Sequence, residues 1–193
     1  MRSDPGRHRR RTIRIQGYDY NQAGAYFVTV VTQNRNCVFG VVKEVRMVER
    51  EWKRLSQRFR QVEIMDFVIM PNHLHMIAAG TVSHRLSDTI RDFKHYTASQ
   101  IIKTLQEANQ TGTLTILQQA AAMDERGNIH KVWNEGNHPI LVEDEYMFRE
   151  KLNYLHDNPV RKGFVDQPEH WLYSSARNYI LDDHSVLKVE CVV

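Results

Sequence analysis

The stretch FVIMPNHLHMI, residues 67–77, places two histidines at alternate positions of an apolar run. The Pro-Asn pair at 71–72 is a turn signal, so the run divides into two strands and the second begins at His73. Because successive side chains of a strand point to opposite faces, His73 and His75 leave the same face. Two neighbouring imidazoles can chelate one metal ion, although two core histidines bonded to backbone carbonyls would give the same pattern.

The elements around this stretch predict an α+β fold. In chain order they are a buried strand at 25–33, an amphipathic helix at 45–59, antiparallel strands at 63–70 and 73–79, a helix at 87–105, one more strand within 128–142 and a helix at 143–157. This order is that of a ferredoxin-like split βαβ sandwich, in which an antiparallel sheet carries helices on one face. The histidines are then expected on the open face, and the last helix is an extra element.

The domain organisation follows from the same pattern. We expect a basic N-terminal arm at 1–24, one domain at 25–180 and a C-terminal tail at 181–193. Residues 106–127 are weakly patterned apart from a short helix candidate, so an insertion or a mobile loop is predicted there. A chain of 193 residues suits one substantial core.

Composition excludes several classes of protein. No run approaches the roughly 20 apolar residues of a membrane span, and charges stand where a signal peptide needs its apolar core, so we expect a cytoplasmic protein without membrane contact. Cys37 and Cys191 lack a CxxC pattern, which argues against a zinc ribbon. No P-loop or GxGxxG occurs. The net charge of +3 is concentrated in the arm, where Arg9, Arg10 and Arg11 are candidates for DNA phosphate contacts, as is Lys94 in the second helix.

The last helix carries a second set of candidate residues. Its apolar residues Phe148, Leu152 and Leu155 form the stripe expected to pack inward, while Tyr154 and Asn158 share a different face, four residues apart. Each has a plain structural interpretation, because an interfacial tyrosine keeps its hydroxyl in water and an asparagine before proline can end a helix.

Five segments together resemble one family. They are AYFVTVVTQNR at 25–35, VIMPNHLHMI at 68–77, DFKHYTASQI at 92–101, VWNEGNHPI at 132–140 and LNYLHDNPVRKGFVDQPEHWLYSS at 152–175. In this order and spacing they are similar to the single-tyrosine HUH transposases, in particular the REP-associated tyrosine transposases. The resemblance covers most of the chain. It implies a ferredoxin-like fold, a divalent metal, and cleavage of single-stranded DNA through a covalent tyrosyl intermediate.

The resemblance also assigns roles to residues. His73 and His75 match the two histidines of the HUH motif, Tyr154 falls at the position of the nucleophile, and Asn158 matches the amide that can complete the metal site. Mg²⁺ or Mn²⁺ fits such mixed nitrogen and oxygen ligands better than a structural zinc, although zinc stays an alternative on ligands alone. Tyr96, in the second helix, is the competing nucleophile.

The implied function is DNA transposition. The resemblance implies a 5′-phosphotyrosine and a free 3′-hydroxyl at a hairpin or palindromic repeat, and reversal by another 3′-hydroxyl would rejoin strands without ATP. The alternatives are a non-catalytic DNA or RNA hairpin-binding protein that retains the fold, and a purely structural adaptor. The resemblance is compatible with a homodimer and with a monomer. A tyrosine that acts in its own subunit and one that acts in a neighbour's both stay open.

Overall fold

Four strands form one antiparallel sheet in the computed structural model. The structure describes residues 24–39, 50, 62–80, 86–124, 127–137 and 139–191. The strands are β1 (Gly24–Val31), β2 (Val62–Met70), β3 (His73–Gly80) and β4 (Ile140–Leu141), in the order β2-β3-β1-β4. This is the strand order of a split βαβ sandwich, so the predicted α+β fold is confirmed. The arm with Arg9, Arg10 and Arg11 lies outside the described residues, and so does the predicted helix at 45–59 except for residue 50.

Five helices accompany the sheet in the described part of the chain. They are α1 (Leu86–Glu107), α2 (Thr111–Ala122), α3 (Glu145–His156), α4 (Asn158–Arg161) and α5 (Ala176–Leu181), with 3₁₀ turns at Gln33–Arg35 and Pro168–His170. The α3 helix begins where the Asp144 side chain accepts a 2.7 Å hydrogen bond from the Met147 backbone N–H.

The α2 helix corrects the prediction for residues 106–127. An insertion or mobile loop was expected there, but α1 extends to Glu107 and three residues separate it from α2. Threonine and glycine weaken helix propensity in this segment. The helix forms nevertheless because Leu114 packs on the core and Leu117 and Ala121 are buried, at helical spacing along one side.

The two faces of the sheet have separate cores. On one face, Leu74 and Met76 of β3 pack with residues of α1 such as Ile90 and Phe93. On the other, the apolar side chains of α3 pack against those of the sheet; this cluster comprises Phe27, Val68, Met70, Ile77, Phe148, Leu152 and Leu155. The histidine face was expected to be open, but α3 lies across it. The reason is the predicted apolar stripe of α3, which has to be buried against a sheet.

The C-terminal segment also packs on the sheet. Ile69 and Ser175 donate backbone hydrogen bonds to Tyr173 and Phe67, so residues 173–175 run along the outer edge of β2. In the predicted tail, Val186 and Val189 are buried in the core on the α1 face. Among the described residues, no helix combines the length and the apolar character needed to cross a bilayer.

Candidate active site

His73 and His75 lie side by side on the sheet face that α3 covers. Their ring centroids are 4.8 Å apart, and both side chains are buried. The β3 strand places them there because its residues alternate between faces, while Leu74 enters the opposite core. Phe27 of β1 stacks on His75 with a centroid distance of 5.2 Å. The histidine pair is thus held rigidly inside a packed layer.

Each histidine ring has its Nδ1 atom engaged by a neighbouring side chain. Nδ1 of His75 lies 2.8 Å from the hydroxyl of Thr29, its cross-strand partner on β1. Nδ1 of His73 lies 2.6 Å from Oδ1 of Asn72. The orientation of the Asn72 amide is fixed because its nitrogen donates to the Arg35 carbonyl at 3.2 Å. Nδ1 of His73 is therefore the donor, and Nε2 carries the lone pair that a metal would use.

Burial keeps both rings neutral. Burial, followed by the positive charge of Arg35, lowers the pKa of His73 to about 4, whereas the contact with the Asn158 side chain raises it. Burial lowers the pKa of His75 to about 3, with contributions from His73 and Arg35. Neutral imidazoles present lone pairs to a cation instead of repelling it.

Asn158 supplies an amide next to His73. It stands at the start of α4 and its side chain is buried. Its Oδ1 has no hydrogen-bond partner, which is rare for a buried amide oxygen and costs free energy. A divalent cation would satisfy this oxygen. Within the described residues no three His, Cys, Asp or Glu side chains cluster. In this part of the chain the amide of Asn158 is the candidate for a third ligand beside the histidines.

Tyr154 lies on α3 against the histidine pair. Its ring centroid is 5.5 Å from that of His75 and 5.9 Å from that of Phe27, in edge-on geometry. Its side chain keeps 39% exposure, so one part contacts the pair and another part meets solvent. The guanidinium carbon of Arg161 lies 5.1 Å from the Tyr154 ring centroid. The structure therefore brings together four residues singled out in the sequence: His73, His75, Tyr154 and Asn158.

The other candidates lie apart from this cluster. Tyr96 belongs to α1, which packs on the opposite face of the sheet. The Lys94 ammonium donates to the carbonyls of Asn134 and Gly136 at 3.1 and 2.6 Å, and burial lowers its pKa to about 8. Contact of Lys94 with DNA stays a prediction. Glu150 stands one turn before Tyr154 on α3, and its carboxylate pairs with Lys151 at 2.9 Å.

Sequence reasoning missed the residues that orient the histidines. Thr29 reaches His75 through the pairing of β1 with β3, which no local pattern specifies. Asn72 was interpreted only as a turn residue, although its position directly before His73 was a usable signal. Arg35 and Arg161 had no local pattern that set them apart from other surface arginines.

Comparison with known proteins places this chain in a family. The family model for IS200-like transposases matches residues 21–117, which include the histidine pair and end before Tyr154. An uncharacterized Haemophilus influenzae protein is 28% identical over 169 residues, covering 80% of this chain and 91% of that protein. A second protein of that organism, provisionally named a REP-associated tyrosine transposase, is 22% identical over 158 residues, covering 81% and 82%.

A solved structure shares the fold. It is that of a REP-associated tyrosine transposase bound to a REP hairpin, with a TM-score of 0.58, 19% sequence identity and coverage of 91% of both chains. At this identity the likeness concerns the fold alone. The family match extends over half of the chain and includes the strands that carry His73 and His75. The chain belongs to the IS200-like transposase family.

Proposed function

We propose that this transposase nicks and rejoins single-stranded DNA at a hairpin or palindromic repeat, with Tyr154 as the nucleophile. The observation that carries the proposal is the edge-on contact between Tyr154 and His75, at a centroid distance of 5.5 Å. A tyrosine on a separate helix would have no structural need to lie beside a buried imidazole pair. Covalent catalysis needs a nucleophile and an electrophilic site within a few ångströms of each other.

The proposed metal site consists of His73, His75 and Asn158. Mg²⁺ or Mn²⁺ held there would supply Lewis acidity that reduces the negative charge of the phosphodiester. The protein contributes the orientation of the ligands: Thr29 and Asn72 hold the two Nδ1 atoms, so both Nε2 atoms are available to the ion. The orphaned Oδ1 of Asn158 supports the amide as the third ligand.

The tyrosine chemistry balances without an energy source. The Tyr154 Oη attacks phosphorus, the Oη–P bond forms, and the P–O3′ bond breaks. The proton lost by the phenol is replaced, through solvent, by protonation of the departing 3′ oxygen. Attack of another 3′-hydroxyl on the 5′-phosphotyrosine reverses these changes and rejoins the strands, because the covalent bond preserves the energy of the phosphodiester. The partial exposure of Tyr154 supports access for a DNA strand.

The proximity of Tyr154 to His75 within one chain supports a nucleophile that serves its own subunit. Mixing two inactive variants tests this. Tyr154→Phe retains the metal ligands and His73→Ala retains the nucleophile, so adduct formed by the mixture would mean that the tyrosine acts on a neighbour's site. We expect no adduct from the mixture.

The main test is covalent adduct formation with a labelled single-stranded hairpin DNA and Mn²⁺, followed on a denaturing gel. We expect an adduct with the unaltered protein, none with Tyr154→Phe, and an undiminished adduct with Tyr96→Phe, the matched control on the opposite face. Hairpin binding without any adduct would favour the alternative, a non-catalytic hairpin-binding protein. An adduct that persists in Tyr154→Phe would assign the nucleophile elsewhere.

A further inference from the structure

Three cationic residues lie on elements that adjoin the histidine pair and take no part in the proposed metal site. Arg35 follows β1 in the 3₁₀ turn, and Arg161 and Lys162 lie at the end of α4. Arg35 is linked to His73 through Asn72, whose amide nitrogen donates to the Arg35 carbonyl and whose Oδ1 contacts Nδ1 of His73. Lys162 stands one helical turn after Asn158, whose carbonyl accepts its backbone hydrogen bond. We call these three residues the cationic frame.

Two members of the frame lie at the end of α4, which follows the helix of Tyr154 and carries Asn158. The α3 and α4 helices meet at Asp157, whose backbone is itself helical, and Lys162 donates a backbone hydrogen bond to the Asn158 carbonyl at 3.1 Å. Lys162 therefore lies on the same side of α4 as Asn158, one turn later. Arg161 lies beside Tyr154, because its guanidinium carbon is 5.1 Å from the Tyr154 ring centroid.

A strained turn holds the third member. Asn34 and Arg35 both have φ of 53°, a left-handed conformation that arginine rarely adopts. Hydrogen bonds maintain this turn: the Thr32 hydroxyl donates to the carbonyls of Asn36 and Asn72, and the Asn72 amide donates to that of Arg35. Asn72 also contacts His73, so one side chain fixes both the arginine turn and a proposed metal ligand. Retained strain of this kind is characteristic of functional sites.

The frame differs from the other surface cations of the protein. Exposed arginines elsewhere pair with carboxylates, as Arg91 does with Asp88 and Arg149 does with Glu145. Within the described part of the chain, no carboxylate contacts any of the three frame side chains. Cations without a carboxylate partner repel one another where they lie close together. An anion at the centre of the frame would relieve this repulsion.

We propose that the cationic frame binds consecutive phosphates of the single strand entering the site, with Arg161 on the phosphate that Tyr154 attacks. Arginine suits this position because its planar guanidinium can donate two hydrogen bonds to one phosphate. Arg35 and Lys162 bind the neighbouring phosphates on the His73 side. The assignment of the attacked phosphate to Arg161 rests on the proposed function, whereas phosphate binding by the frame does not require cleavage.

The first experiment measures binding alone. A fluorescent, unstructured single-stranded oligonucleotide is titrated with the Tyr154→Phe protein in EDTA over a salt series, and log K is plotted against log[salt]. Each of Arg35→Ala, Arg161→Ala and Lys162→Ala should reduce the slope by roughly 0.7, the value for one lost phosphate contact on a single strand. Arg149→Ala, a matched change on α3, should leave it unchanged. Unchanged slopes in the three frame variants would overturn the proposal.

The second experiment measures chemistry with Tyr154 present. Arg161→Ala should slow adduct formation on the order of 100-fold, as removal of one donor to a developing oxyanion does, and Arg161→Lys should restore part of the rate. Equal rates in Arg161→Ala and the unaltered protein would remove Arg161 from the attacked phosphate. If the salt slopes of the three frame variants fall but the unaltered protein forms no adduct, phosphate binding by the frame is supported and the proposed function is wrong. If the unaltered protein forms an adduct but the slopes are unchanged, the proposed function stands and the frame fails.

Discussion

The Thr29 hydroxyl lies 2.8 Å from Nδ1 of His75, directly across the β1–β3 pair. This contact determines which nitrogen of His75 is free for a metal, because a ring whose Nδ1 is bonded to a side chain presents Nε2 on the other side. Thr29 thus acts on the proposed metal through His75. Such outer partners of a ligand histidine commonly affect metal affinity strongly.

Replacing Thr29 by valine should weaken Mn²⁺ binding by roughly 10- to 100-fold, the usual effect of losing such a partner. Valine keeps the β-branched shape that suits a strand, so the fold should be retained. Isothermal titration calorimetry with Mn²⁺ measures the change. Thr29→Ser, which keeps the hydroxyl, is the control and should bind nearly as the unaltered protein does. Equal affinity in the valine and serine variants would contradict this role of Thr29.

Two variants of Asn72 should differ in Mn²⁺ affinity, and the difference should show which of its two hydrogen bonds supports the metal site. Asn72→Ala removes both the acceptor for His73 and the donor for the Arg35 carbonyl, and should weaken Mn²⁺ binding by roughly 10- to 100-fold. Asn72→Asp keeps an acceptor for the Nδ1 proton and should retain most of the affinity. If both variants lose affinity equally, the Arg35 turn matters to the metal site and the His73 contact does not.

The sequence predicted those features of the site that depend on local periodicity. Alternation along β3 put His73 and His75 on one face, and helical spacing identified the stripe of Phe148, Leu152 and Leu155 that seats α3 on the sheet. Features that depend on how strands and helices pack together could not be predicted from local patterns. The contact between Thr29 and His75 needs the register of two strands that are far apart in sequence.

The position of Tyr154 shows the same limit. Its spacing placed it off the apolar stripe, which predicted a tyrosine facing away from the core. In the structure the flank of α3 that carries Tyr154 faces the histidines, because the helix lies across the face that was expected to be open. Only the packing of α3 on the sheet reveals that a side chain beside the stripe can contact the imidazole pair.

Asn158 should show opposite effects on stability and on metal binding. In EDTA, Asn158→Leu removes a buried amide whose oxygen has no partner, so the variant should be as stable as the unaltered protein or more stable by about 1–3 kcal/mol. Mn²⁺ should raise the Tm of the unaltered protein much more than that of the variant. An ion that binds only the folded protein stabilises it, and the variant lacks one of the proposed ligands and should bind the ion more weakly. Thermal unfolding with and without Mn²⁺ tests both. A large loss of stability in EDTA would mean that the amide has a structural partner.

A second buried polar cluster joins α3 to the sheet edge. Asp66 of β2 is fully buried and accepts hydrogen bonds from the Ser175 hydroxyl at 3.1 Å and from Tyr179 at 3.4 Å. Nε2 of His156, at the end of α3, lies 2.9 Å from the Ser175 hydroxyl oxygen. Burial raises the pKa of Asp66 to about 7, although both hydrogen bonds lower it. Burial lowers the pKa of His156 to about 4, so both groups favour their neutral forms.

Asp66→Asn should therefore make the protein more stable at pH 8 than the unaltered protein, and the gain should shrink as pH falls. Because the folded-state pKa of about 7 lies above the ordinary value of 3.8, the contribution of Asp66 to stability is fully present below pH 4 and is lost as pH rises to 7. At about 1.4 kcal/mol per pKa unit, the change across this window is on the order of a few kcal/mol. His156 loses its stabilising contribution in the opposite direction, as pH falls from 6.5 towards 4. This contribution is common to both proteins apart from the 3.9 Å contact of His156 Nε2 with Asp66 Oδ1. Urea unfolding at intervals between pH 5 and 8 measures the gap, and a gap that stays constant over this range would show that Asp66 is ionised in the folded protein throughout.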